Sequence, residues 1–136
     1  MTPTEIDLVQ SSFRQVIPIK EQAASLFYGR LFEIDPTTEP LFAGANMVEQ
    51  GAKLMATLAM VVGALNQPDK VVPAAQALAV RHIGYGVTEP QYASVGAALL
   101  WTLEKGLGPA YTPEVASAWT SAYRLLSGVM IEAAAA

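Results

Sequence analysis

Few side chains in this sequence suit catalysis or ligation, and one stands apart: His82, the only histidine. It lies in Leu78-Ala79-Val80-Arg81-His82-Ile83-Gly84-Tyr85-Gly86-Val87, where an apolar helical run meets two glycines tolerant of positive φ. Two kinds of chemistry fit this setting. A histidine near a helix C-terminus meets the negative end of the helix dipole and can donate to the last carbonyls. Equally, a neutral imidazole can be the axial ligand of a haem iron through one ring nitrogen while an acceptor holds the other. In a helix that acceptor is the carbonyl four residues back, on Leu78, and the bond would fix the tautomer.

Composition narrows the field. The absence of cysteine excludes disulfides, thiolate nucleophiles, iron–sulfur clusters and the common structural zinc sites. A single histidine excludes imidazole-rich metal sites. The net charge of -4, without a Lys/Arg cluster, argues against nucleic acid or an anionic membrane as partner. A small neutral ligand fits better. The chain is 52% hydrophobic and 15% charged, which is not a disordered composition, and its 136 residues suit one domain over 1–136. Its longest apolar run, Leu58 to Leu65, is well short of the roughly 18 residues that span a bilayer. Met1 to Asp7 lack the basic start and apolar centre of a signal peptide, so a cytoplasmic location is expected.

The elements that must position His82 read as helices throughout. Thr2-Pro3-Thr4-Glu5 is a helix start, followed by Ile6, Val9, Phe13 and Val16 at helical spacing to about Pro18. A second helix from near Glu21 carries Ala24, Phe27, Tyr28, Leu31 and Phe32 and ends before Asp35-Pro36, which opens a short helical turn through Phe42. A third runs from about Val48 with Leu54, Leu58, Val61 and Leu65, and Asn66-Gln67-Pro68-Asp69 stops it. The fourth, from about Val71, carries His82. Thr88-Glu89-Pro90-Gln91 and Thr112-Pro113-Glu114 open the last two. No window alternates as a strand, so the class is all-α, an irregular helical sandwich rather than an up-down bundle.

In this order the residues resemble the globin family, particularly single-domain bacterial globins, the haem domain of flavohaemoglobins, and neuroglobin. The resemblance rests on Leu26 to Phe32, on Asp35-Pro36 to Pro40-Leu41-Phe42, on Gln50-Gly51-Ala52-Lys53-Leu54, on Arg81 to Val87 and on Leu99 to Pro109. It implies six to eight helices in a three-over-three sandwich around a haem pocket, and haem b (iron protoporphyrin IX) as cofactor. His82 would then be the iron ligand. Phe42 matches the haem-stacking phenylalanine, and Tyr28 and Gln50 match the two distal positions that stabilise a bound gas. Leu54, one turn beyond Gln50, would crowd that ligand. Leu78, Tyr85, Val87 and Val95 are expected haem contacts, while Arg81 and Lys53 could each reach a propionate. Tyr92 matches a tyrosine beside the proximal histidine.

The resemblance also implies function: reversible binding of dioxygen, with nitric oxide and carbon monoxide as further ligands, and nitric oxide dioxygenation using an external reductase. The chain departs from flavohaemoglobins in one respect, since the glutamate that partners the proximal histidine falls on Ala134, and Glu132 lies about half a turn away. No Gly-rich dinucleotide loop appears, so electrons would come from outside. Bis-histidine ligation is excluded by the single histidine. A monomer or weak homodimer is expected. The alternative reading is a haem-free, globin-like helical interaction or sensor module.

Overall fold

Capping chemistry sets the helix ends. In the computed structural model, which describes residues 1–135, α1 (Pro3–Val16) opens on Thr2, whose hydroxyl accepts the Glu5 N–H at 3.1 Å while the Glu5 carboxylate accepts the Thr2 N–H at 2.9 Å. A tight turn at Ile17–Ile19 follows, and α2 (Lys20–Ile34) ends at Asp35. The Asp35 side chain accepts the Thr37 N–H at 3.1 Å and starts a 3-10 stretch, Pro36–Phe42. Asn46 caps α3 (Met47–Gly63) by accepting from Val48 and Glu49.

α4 (Pro68–Tyr85) begins about three residues earlier than expected. Pro68 not only follows the end of α3 but occupies the first helical position of α4, where a missing N–H leaves no bond unmade. α4 ends at Gly86, with φ 86°, and α5 (Glu89–Leu107) and α6 (Pro113–Ala135) complete the chain. The described residues thus form six α-helices, and none is long and apolar enough to cross a membrane.

α2 packs on α5 and α3, α1 on α6, and α6 also on α4. α6 packs on α5 as well, and polar staples fix two of these contacts. Trp119 Nε1 donates to Ser12 Oγ at 2.8 Å, joining α6 to α1, and Ser12 in turn donates to the Leu8 carbonyl at 2.7 Å, so a buried hydroxyl is fully used. The Tyr123 hydroxyl donates to the Tyr92 carbonyl, joining α6 to α5.

At that crossing a Cβ on Gly96 would lie 2.6 Å from Tyr123 Cε2. The ring cannot retreat without giving up its hydroxyl's bond, so Gly96→Ala is expected to destabilise the fold by about 1–3 kcal/mol despite alanine's better helix propensity. Urea unfolding should show a lower midpoint with unchanged slope; an unchanged midpoint would mean the crossing is slack.

Two apolar cores result. The larger joins α1, α2, α3, α5 and α6 around Val9, Phe27, Leu31, Leu99 and Trp119. The smaller joins α4 to Val61 of α3, Tyr92 of α5 and Met130 of α6, around Val71, Ala75, Leu78 and Ala79.

Candidate functional site

The expected site residues divide between the two cores. Tyr28 is buried in the larger one, and Phe42, Leu54 and Val95 pack against it. Leu78 and Tyr92 belong to the smaller one, with Val87 packed against it.

On the larger-core side, α2 and α3 bring Tyr28 and Gln50 together, and Gln50 Nε2 donates to Tyr28 Oη at 3.3 Å. The phenol oxygen is thereby the acceptor, which leaves its own proton free to donate onward. Burial pushes the Tyr28 pKa above the ordinary tyrosine value, against a smaller opposing effect of the Gln50 bond. The hydroxyl is therefore a neutral donor at neutral pH. An aromatic cage orients it: the Tyr28 ring stands edge-on to Phe27 at 5.0 Å and to Phe42 at 5.2 Å, and Phe32 lies 5.7 Å from Phe42. Phe42, with Phe32 and Met47, also lines an open apolar depression of about 430 Å³ at the surface.

On the smaller-core side, His82 is partly buried and its Nδ1 lies 2.7 Å from the Leu78 carbonyl oxygen. A carbonyl only accepts, so Nδ1 carries the proton and the Nε2 lone pair is left for another partner. Among the described residues nothing donates to Nε2. Nor is there a cluster of three or more His, Cys, Asp or Glu among them that could hold a bare metal ion. The His82 ring lies 6.4 Å from that of Tyr92, at 26° to it. A fixed tautomer on one side thus accompanies a hydrogen-bond donor pair in the neighbouring core.

A family profile described as Globin matches residues 25–130. The chain belongs to the globin family. Among its curated relatives, a flavohemoprotein of Xylella fastidiosa (strain 9a5c) is 30% identical over 132 residues, covering 95% of this chain and 33% of its own length. One from Bordetella parapertussis is 30% identical over 118 residues, covering 83% of this chain and 29% of its own length. This globin therefore spans about a third of the length of those relatives. A solved structure of a bacterial globin from Campylobacter jejuni matches the fold with a TM-score of 0.84, at 24% identity, over 98% of this chain and 96% of that one.

The remaining expected residues of the globin lie nearer solvent. Lys53 and Arg81 are exposed, and neither forms an ion pair among the described residues. Tyr85 is 62% exposed, with its ring 5.8 Å from that of His82. Glu132 is exposed on α6 and, among the described residues, makes no hydrogen bond to Tyr92 or His82.

One polar residue at the edge of the site was read from sequence only as a helix cap. Gln91 is buried, and besides capping α5 it reaches Thr37 in the 3-10 stretch that leads to Phe42. The signal available was small: a glutamine at a capping position where glutamate serves equally well.

Proposed function

We propose that this globin binds haem b between its two cores, with His82 Nε2 ligating the iron and Tyr28 and Gln50 on the opposite side. The observation that carries the proposal is the 2.7 Å contact of His82 Nδ1 with the Leu78 carbonyl, which commits the imidazole to the tautomer that ligates through Nε2. The donor set fits the group. A single neutral imidazole, an aromatic wedge at Phe42 and apolar walls at Leu54, Leu78, Val87 and Val95 suit a flat, largely apolar macrocycle with one axial protein ligand. Tyr85 would cover its edge. Arg81 and Lys53, both exposed and free of ion pairs among the described residues, would be the propionate partners. In this reading the six helices form the three-over-three sandwich of the family.

Ferrous haem supplies reversible binding of dioxygen, nitric oxide and carbon monoxide. The chain's own contribution is selectivity. The Tyr28 O–H, backed by the Gln50 amide, donates to the ligand that accumulates most negative charge, so dioxygen is retained in preference to carbon monoxide. Leu54 and the aromatic cage exclude water from that side. Nitric oxide dioxygenation to nitrate is the reaction to test first, with an external reductase returning the electron consumed. The name flavohemoprotein carried by longer relatives supports such a donor.

A visible spectrum of the purified protein, ferric, reduced and then oxygenated, tests the reading. A Soret band that shifts on reduction, then a stable oxygenated spectrum, is expected. Absence of a Soret band after haem reconstitution would favour the cofactor-free module instead, for which the exposed Val80 and Ile83 on α4 are the supporting observation.

A further inference from the structure

Gln91 has more partners than a helix cap requires. Its Oε1 accepts the Thr88 N–H at 2.9 Å, closing the first turn of α5. Its Nε2 donates to Thr37 Oγ1 at 3.2 Å, with the Thr37 carbonyl 3.4 Å away. Thr37 belongs to the 3-10 stretch and is itself tied to Asp35, through its backbone N–H at 3.1 Å and through its hydroxyl. The other Asp35 oxygen accepts Ser94 Oγ at 2.7 Å, a second bridge from α5 to the same stretch.

The two ends of this network lead to opposite halves of the site. Thr88 follows Gly86 and Val87, and the Val87 N–H donates to the His82 carbonyl at 3.1 Å. Thr37 begins the turns that carry Leu41 and Phe42, and Leu41 Cδ2 lies 3.6 Å from the place of a Gly86 Cβ. At 7% exposure the Gln91 amide has little water to replace a lost partner, so the bridge resists opening. We propose that Gln91 is a positioning residue that sets the separation between the His82 end of α4 and the Phe42 stretch, and with it the width of the cofactor slot. This rests on the haem reading above for its consequence, but not for its geometry.

The discriminating variant is Gln91→Glu, which keeps the Oε1 acceptor and the cap but presents a carboxylate, not a donor, to the Thr37 carbonyl and to a Thr37 hydroxyl whose one proton is given to Asp35, and places a second negative charge near Asp35. Amide hydrogen exchange on the full chain reads the bridge without any cofactor. The expected result is about tenfold faster exchange at Thr38, Phe42 and Ala43, with Thr88 and the core amides of α1 and α6 unchanged. In the haem-loaded protein the same variant should transfer haem to excess apomyoglobin about tenfold faster and shift the iron–histidine stretch of the ferrous form. Unchanged exchange in the Phe42 stretch overturns the proposal. So does equal acceleration at all core amides, which would make Gln91 a general stability residue. If no variant binds haem, the exchange comparison still decides the bridge, and the haem reading fails separately.

Discussion

His82→Ala is expected to abolish stable haem retention while leaving the polypeptide folded. The histidine side chain makes one hydrogen bond among the described residues, within its own helix to Leu78, and is only partly buried, so its loss should change the unfolding free energy of the haem-free chain by less than about 1 kcal/mol. Removing an axial ligand should cost more than the roughly ten- to hundredfold in affinity that removal of a ligand's hydrogen-bond partner costs. Haem loss to a scavenger should therefore accelerate by at least about a hundredfold. External imidazole should restore part of the ferric spectrum, because the side chain would leave a space of its own shape. A variant that keeps the wild-type spectrum would show that another residue ligates the iron.

Dioxygen dissociation should respond most strongly to Tyr28. Tyr28→Phe keeps the ring that packs on Phe27 and Phe42 and removes only the hydroxyl, so it isolates one hydrogen bond. Bonds to a charged or partly charged acceptor contribute about 1.5–3 kcal/mol, so the off-rate should rise about ten- to hundredfold. Gln50→Leu should have a smaller effect. Its amide donates to the phenol oxygen at 3.3 Å, and so acts largely by polarising and aiming the Tyr28 O–H. The double variant should then dissociate oxygen little faster than Tyr28→Phe alone, whereas two independent donors would give multiplied effects. Stopped-flow displacement by carbon monoxide measures all three rates. Because burial raises the Tyr28 pKa, its O–H stays protonated across neutral pH, and the off-rate should be flat from about pH 6 to 9.

The helical plan was legible because it is written in local chemistry. Thr2, Asp35-Pro36, Thr88 and Thr112-Pro113 act on backbone groups a few residues away, and the elements they open start within one or two residues of those signals. The start of α4 was misplaced because one proline can both follow the end of one helix and begin the next. The His82 contact with Leu78 was legible for the same reason as the caps, since four residues along a helix is a fixed distance.

By itself, then, the sequence determined the all-α class, the lone imidazole and the tautomer its own helix imposes. Tertiary structure decided what no periodicity encodes. The Gln50–Tyr28 pair spans 22 residues and the Gln91–Thr37 bridge spans 54, and each exists only because the intervening helices pack at one angle and register. The sequence offered Tyr28 and Gln50 as separate residues, and the hydrogen bond between them forms only where α3 lies on α2. Side chains distant in the chain meet through packing, and packing is settled by the fit of whole helix faces, which no short stretch contains.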